Sequence, residues 1–292
     1  MALNIAAYGQ GSTMYPLDAN RAEAIRKAGW TTIILGFLHI DAAGNVFFSE
    51  NKILSCGCYV GDSNWPRQLG ELFGEGSTLT NNLLAGVGGA KVNDFQNIRN
   101  IYQSNNNSFE RTPLKANFQT LYDLFNSIGT IEMDVEETYD KESFVAFCRM
   151  LHRIGFDITF CPYRKMDFWL DSLKELQRSR LGPVKWWDLQ CYDGGGNNNP
   201  QVWADAITAA IPGFDTNGFI LASDWVLASD GTGDCPDGVI SKLSHFKNEP
   251  AVGGAFLWTI GNILWQGTQN PNPCGTKASM ADYVAAVKKA LG

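Results

Sequence analysis

Apolar residues follow two alternating patterns along the chain, short continuous runs and repeats at helical spacing. Continuous runs are typical of strands buried on both faces, whereas spacings of three and four indicate amphipathic helices. The runs predict strands at residues 3–9, 31–40, 82–90, 129–136, 155–163, 183–192, 218–225 and 251–260. The helical repeats predict helices at residues 18–28, 65–73, 95–103, 114–128, 141–154, 167–180, 201–211, 236–248 and 280–291.

Eight strands mostly followed by helices predict an α/β protein, a single (β/α)8 TIM barrel with one domain over residues 1–292. The segment 41–75 is predicted to be irregular. A doubly wound open sheet is the alternative. It would need a glycine-rich phosphate turn after an early strand, and Gly9-Gln10-Gly11 lacks the third glycine.

The fourth predicted strand carries an acidic row. Side chains alternate on a strand, so Glu132, Asp134 and Glu136 point to one face, and the apolar residues between them point to the other. Like charges at this spacing repel each other, and burial increases the cost. We therefore expect the row to face a functional site. An exposed edge strand with a solvated acidic face is the alternative.

In such barrels functional residues lie at the carboxyl ends of the strands. Here those ends are aromatic and acidic, with almost no cation, which suits a neutral polyhydroxylated ligand such as a sugar rather than a phosphate. The candidate ligand contacts are Tyr8, Phe37, Glu132, Tyr163, Gln190, Asp193, Trp225 and Trp258, with Asp224 as a further candidate. His39 is expected to be structural, with ligand contact as the alternative.

Composition excludes several partner classes. The net charge is -7 and no basic block occurs, which argues against nucleic acid and anionic membranes. No run approaches the roughly 20 apolar residues of a membrane span, and the start does not resemble a signal peptide. The compartment stays open, and we expect a monomer without cofactor or metal. Of the seven cysteines, Cys235 and Cys274 lie in loops and could pair in an oxidising compartment.

Four segments resemble family 18 glycoside hydrolases, the chitinases and endo-β-N-acetylglucosaminidases. The fourth strand of that family carries D-x-x-D-x-D-x-E, and residues 129–136 match its last two acids. The third strand ends in S-x-G-G, which residues 86–89 resemble. The sixth strand ends in Gln or Met, any residue, Tyr, then Asp or Asn, as residues 190–193 do. The eighth ends in a Trp, like Trp258.

The resemblance implies substrate-assisted hydrolysis of β-linked N-acetylglucosamine, an exception to the scheme of two catalytic carboxylates. Glu136 would be the general acid. Asp134 would orient the 2-acetamido group of the sugar, whose carbonyl oxygen attacks the anomeric carbon. Tyr192 would hydrogen-bond that carbonyl, and Trp258 would stack under the sugar. An oligo- or polysaccharide is therefore the expected partner.

On the fourth strand the chain departs from the pattern at two positions, since Gly129 replaces the first acid and Glu132 is one methylene longer than the second. The departures leave open a lectin that binds chitin oligosaccharides without cleaving them. A family 25-like lysozyme would also use the Asp-x-Glu strand, although that family has an acid on strand one, where Tyr8 stands. A hydrolase whose acidic row holds Mg²⁺ or Ca²⁺ is a further alternative.

Overall fold

The computed structural model describes residues 2–179, 183–192, 198–276 and 278–292. In chain order, the first half contains β1 (Asn4–Gln10), α1 (Gly11–Met14), α2 (Ala19–Lys27), β2 (Thr32–Ile40), β3 (Val46–Phe48), β4 (Asn51–Ser55), β5 (Cys58–Tyr59), α3 (Trp65–Gly70), β6 (Leu83–Gly88), α4 (Asp94–Ser104), α5 (Pro113–Leu124) and β7 (Ile128–Asp134). The second half contains α6 (Lys141–Ile154), β8 (Asp157–Phe160), α7 (Met166–Ser179), β9 (Val184–Leu189), α8 (Pro200–Ala210), β10 (Ile220–Trp225), α9 (Pro236–Leu243), β11 (Val252–Trp258), α10 (Ile260–Thr268) and α11 (Met280–Leu291). Short 3₁₀ turns, Glu71–Phe73 and Ser244–Phe246, follow α3 and α9.

Eight of the strands form a closed parallel barrel. Their order is β1-β11-β10-β9-β8-β7-β6-β2, and β1 pairs with β2 to close the ring. The single (β/α)8 barrel predicted from the sequence is confirmed. Each predicted barrel strand is present, although β7 ends at Asp134, so that Glu136 lies just beyond it.

Alternation along the strands divides the buried side chains into two layers. One large cluster lies between the barrel and the helices and takes Ile131, Met133 and Val135 from the β7 segment. The barrel interior holds a smaller, largely aromatic cluster that includes Tyr8, Phe37 and Trp186. The acidic row therefore points into the barrel, and the exposed-edge alternative is wrong because Glu132 and Asp134 are buried.

Local signals explain where several helices begin and end. Asp18 caps α2 by accepting a hydrogen bond from the Arg21 backbone N–H at 2.9 Å. Asp140 caps α6 in the same way, and Gly155, with φ 129°, ends that helix. The end of α6 at Gly155 lets the chain turn into β8, which begins at Asp157.

Two parts of the chain differ from the sequence prediction. The segment expected to be irregular contains β3, β4 and β5, which extend the sheet from β2 as antiparallel strands. Residues 260–268 form α10 directly after β11, although the eighth strand was predicted to run to residue 260. The Thr259 hydroxyl caps this helix at the Asn262 backbone N–H. In the described part of the chain, no helix is long and apolar enough to cross a membrane.

Candidate active site

A cavity of about 310 Å³ opens at the carboxyl ends of the barrel strands. It collects side chains from strands that are far apart in sequence, as the (β/α)8 fold predicts. The residues around it are Tyr8, Phe37, Gly89, Ala90, Lys91, Asp134, Glu136, Tyr163, Gln190, Tyr192, Trp225 and Trp258. All three predicted catalytic residues and six of the eight predicted ligand contacts therefore border one cavity.

The floor of the cavity is aromatic. The ring centroid of Tyr8 lies 4.9 Å from that of Trp258 and 5.7 Å from that of Phe37, and the Phe37 and Trp258 rings are 5.7 Å apart. Trp258 is half-buried, so part of its indole is free to contact a ligand. Tyr192 and Trp225 form one wall, with their rings 5.6 Å apart. Such a surface can stack against the C–H face of a sugar ring.

Two glycines let the chain pass close to the end of β7. At Gly88 a Cβ would lie 2.0 Å from the Asp134 carbonyl oxygen, which excludes any side chain there. The next residue, Gly89, donates its backbone N–H to the same oxygen at 2.9 Å. This contact fixes the backbone that carries Asp134 and shapes the rim beside Phe37.

Gln190 joins the two acids of the cavity. Its Nε2 donates to Asp134 Oδ1 at 3.0 Å and to Glu136 Oε1 at 3.3 Å. Burial and the charge of Glu136 raise the pKa of Asp134, whereas hydrogen bonds from Cys161 and Gln190 lower it. Burial also raises the pKa of Glu136, against the effect of Gln190. The half-buried Glu136 is thus held beside a second carboxyl in a form that favours carrying a proton.

Glu132 lies below the cavity and does not border it, in contrast to its predicted sugar contact. The side chain has no exposed surface, and Tyr8 Oη donates to its Oε2 at 2.5 Å. The carboxyl of Asp188, a buried residue on β9, lies near enough to act on it. Burial, followed by the charges of Asp188 and Asp134, raises the pKa of Glu132 well above its usual range.

Asp188 is a site residue that the sequence prediction missed. Both of its carboxyl oxygens accept from the Trp186 indole N–H, each at 3.1 Å, and burial raises its pKa to about 7. The alternation of side chains that was used for β7 also holds on β9, where it puts Asp188 on the same face as Gln190 and Tyr192. That signal was present in the sequence.

The remaining candidates have varied surroundings. Tyr163 borders the cavity, and the Arg164 guanidinium lies over its ring at 4.7 Å from the centroid. The charge of Arg164 lowers the pKa of Glu136, and Lys91 lines the rim, so the mouth has more cationic character than predicted. Asp193 lies outside the described residues.

Two further candidate residues, Asp224 and His39, each pair with a side chain of opposite charge type away from the cavity. Asp224, a further candidate for sugar contact, does not border the cavity; it points outward from β10 and lies 3.4 Å from the Lys242 ammonium on α9. His39 Nδ1 lies 2.8 Å from Oδ2 of the buried Asp94, in agreement with a structural histidine. Both pairs tie a strand end to the helix beside it.

The acidic row does not converge on a point. Glu132 contacts Tyr8 and Asp188 below the floor, whereas Asp134 contacts Gln190 at the floor. Among the described residues, no group of three or more His, Cys, Asp or Glu side chains is arranged to hold a metal ion. The hypothesis of a metal bound by the acidic row therefore has no ligand set here.

Comparison with solved structures identifies the fold. The catalytic domain of a hyperthermophilic chitinase from Pyrococcus furiosus is similar over 98% of this chain and 95% of that one, with a TM-score of 0.64 and 12% identity. A fungal endo-β-N-acetylglucosaminidase of glycosyl hydrolase family 18 is similar over 97% of both chains, with a TM-score of 0.62 and 17% identity. The chain has the barrel fold of these glycoside hydrolases.

The spore cortex-lytic enzyme SleL of Bacillus cereus is also similar, with a TM-score of 0.62 and 11% identity over 99% of this chain and 74% of that one. No family model matches the sequence. No curated protein sequence matches it either. The likeness is thus one of fold, and any activity has to be argued from the site.

Proposed function

We propose that the protein is a glycoside hydrolase that cleaves β-linked N-acetylglucosamine polymers by substrate-assisted catalysis. The observation that carries the proposal is the pairing of Asp134 and Glu136 through Gln190 over an aromatic floor. One amide fixes both acids on the same side of the cavity. The acids and the floor then face a bound sugar from two directions.

Glu136 is the proposed general acid. Burial raises the pKa of its carboxyl, which favours the protonated form, and its position at the cavity allows transfer to the glycosidic oxygen. The leaving sugar departs with that proton. In the second half of the reaction the carboxylate takes a proton from the attacking water, so Glu136 returns to its starting form.

The nucleophile is proposed to come from the substrate. Among the described residues around the cavity only Asp134 and Glu136 are acids, and both come from one strand end. The usual mechanism with two carboxylates needs a second acid across the sugar ring, which this arrangement does not offer. The carbonyl oxygen of the 2-acetamido group can instead bond to the anomeric carbon as the glycosidic bond breaks, closing a five-membered ring.

Asp134 and Tyr192 are the proposed partners of the acetamido group. Asp134 would accept from its N–H, and this aligns the carbonyl oxygen with the anomeric carbon. Burial raises the pKa of Tyr192 well above its usual range, so its hydroxyl remains a hydrogen-bond donor to that carbonyl. Trp258 would support the sugar ring from below. A family 25-like lysozyme has less support, because Tyr8 of β1 lies in the floor.

The test is release of product from a chromogenic N-acetylglucosamine oligomer by wild type and Glu136→Gln between pH 4 and 9. We expect turnover by wild type and a loss of at least about 100-fold in the variant, because the proton donor is removed while the shape is kept. Glu110→Gln, an exposed acid paired with Lys115, is the matched control. Oligomer binding by Glu136→Gln should persist.

A deacetylated oligomer tests the origin of the nucleophile. Glucosamine units lack the acetamido carbonyl, so wild type should bind such an oligomer without cleaving it. Cleavage of both oligomers would refute substrate assistance and leave a hydrolase of another kind. Binding of the acetylated oligomer with no cleavage at any pH would instead identify a lectin.

A further inference from the structure

Below the cavity floor lie two buried carboxyls from strands that are separated only by β8. Glu132 on β7 and Asp188 on β9 both have no exposed surface, and each carboxyl lies near enough to act on the other. Two ionised carboxylates buried side by side repel each other, and neither has a donor to offer the other. One proton held between them would remove the repulsion and supply the missing donor.

The surrounding hydrogen bonds indicate which residue carries that proton. Asp188 accepts from the Trp186 indole N–H with both oxygens, and Tyr8 donates to Oε2 of Glu132. The other oxygen of Glu132, Oε1, is buried and receives no N–H or O–H donor from the part of the chain that the structure describes. A proton on Oε1, donated to Asp188, satisfies every one of these groups.

Charge leads to the same arrangement. The titratable groups that face the pair are Tyr8 from β1, Asp134 at the end of β7, Cys161 after β8 and Tyr192 after β9. In the described structure none of the charged groups that act on Glu132 or Asp188 is a cation. Two negative charges in this place would be uncompensated, so one shared proton is the stable state.

We propose that Asp188 is a positioning residue that holds Glu132 in its neutral form and so directs its proton toward β9, away from Asp134. Asp134 is left with Gln190 as its partner and stays beside Glu136. The effect on hydrolysis rests on the proposed function, whereas the shared proton does not.

Two amide variants distinguish this arrangement from the reverse one, in which Asp188 would carry the proton and Glu132 the negative charge. In Glu132→Gln, the amide donates to Asp188 and its oxygen accepts from Tyr8, which reproduces the neutral acid. In Asp188→Asn, the amide oxygen is taken by Trp186, so the NH₂ group must face Glu132. Glu132 then has to lose its proton, and the negative charge moves from β9 to β7, two residues from Asp134.

The pH dependence of kcat on the N-acetylglucosamine oligomer shows which of the two residues carries the negative charge. Glu132→Gln should keep the wild-type profile and turnover within about twofold. Asp188→Asn should raise the pKa of Asp134, move the acid limb upward by about one pH unit and lower kcat about tenfold, with little change in KM. Asp157→Asn, which removes an exposed carboxylate paired with Lys185, is the control for loss of charge.

A second measurement does not depend on turnover. The infrared C=O band of a neutral carboxylic acid should persist above pH 8 in wild type and in Asp134→Asn, and should vanish in Glu132→Gln. Presence of this band in a protein that never cleaves the oligomer would uphold the shared proton and refute the proposed function. Its absence from wild type would overturn the inference, even if the variants failed to fold.

In an active enzyme, two further outcomes would overturn it. One is an Asp188→Asn variant with the wild-type pH dependence of kcat together with a Glu132→Gln variant whose pH dependence is shifted. This result would place the negative charge on Glu132. The other is an unchanged profile in both variants, which would reduce the pair to packing.

Discussion

Gly86 and Glu132 both differ from the family 18 pattern that the sequence resembles, and the two differences fit together. The pattern has Ser at the first of these positions and a shorter Asp at the second. A Cβ at Gly86 would lie 2.9 Å from Glu132 Oε2 and 2.8 Å from Phe37 Cδ1. The missing side chain at residue 86 therefore makes room for the extra methylene at residue 132, which brings its carboxyl to Tyr8 and Asp188.

This pairing predicts coupled effects on stability. Gly86→Ser alone should lower the free energy of unfolding by about 1–3 kcal/mol, because the new side chain overpacks the barrel interior. In the double variant with Glu132→Asp, the loss in free energy of unfolding should be smaller than the sum of the two single losses by at least about 1 kcal/mol. Urea unfolding of the four proteins measures the coupling.

Gly70→Ser is the control for that cycle. A Cβ at Gly70 has no neighbour within 4 Å, so this change should stay within about 0.5 kcal/mol of wild type. Additive single effects at residues 86 and 132 would contradict the pairing.

At single residues, the alternation of side chains predicted the direction of the acidic row but not the partner of each acid. Asp134 and Glu136 border the cavity as expected, whereas Glu132 lies beneath it. Depth inside a barrel depends on the stagger between strands, which one sequence does not encode locally. Asp188 could have been found, since it alternates with Gln190 on the same strand.

At the level of elements, strands with continuous apolar runs were predictable and short mixed ones were not. The strands β3, β4 and β5 pair in an antiparallel extension, and their polar residues do not mark a buried face. The helix α10 follows β11 without a loop, so its apolar residues look like more strand. Cys235 and Cys274, which the sequence suggested could pair in an oxidising compartment, form a disulfide that spans 39 residues.

That disulfide supports one wall of the cavity. Cys235 directly precedes α9, and its neighbour Asp234 donates its backbone N–H to the Trp225 carbonyl at 2.7 Å. The Tyr283 hydroxyl on α11 also holds this segment, because it donates to the Asp234 carbonyl at 3.1 Å. Covalent and hydrogen-bonded links thus fix the turn behind Trp225.

Replacing Cys235 and Cys274 together with Ser should lower the free energy of unfolding by about 2–4 kcal/mol, since the unfolded chain gains freedom. Oligomer binding should weaken a few fold, because the backbone behind Trp225 loosens. Thermal unfolding and calorimetric titration measure the two effects. Replacing Cys56 and Cys58, which are exposed free thiols, is the matched control. A stability loss with unchanged binding would show that Tyr283 holds the wall alone.

For the whole molecule, the barrel followed from the sequence because eight buried parallel strands leave few other arrangements. The single domain and the monomeric state stay predictions. The barrel interior is unusually polar, because Glu132, Asp134 and Asp188 are fully or almost fully buried in it. Burial raises the pKa of each of these carboxyls, with that of Asp188 at about 7.

This interior predicts how stability depends on pH. A carboxyl whose pKa is higher in the folded than in the unfolded chain favours folding below its unfolded value, near 4, and that contribution disappears as pH rises through the folded value. The thermal unfolding temperature of wild type should therefore fall between pH 5 and pH 8. The loss should be on the order of a few kcal/mol, since each unit of pKa corresponds to about 1.4 kcal/mol.

The double variant Glu132→Gln with Asp188→Asn isolates the contribution of the pair. Neither amide titrates, so its unfolding temperature should depend less steeply on pH over this range than that of wild type. Asp157→Asn should keep the wild-type slope, because this carboxylate lies at the surface. Equal slopes in all three proteins would place the pH dependence outside the pair, in groups such as Asp224, whose pKa burial raises to about 6.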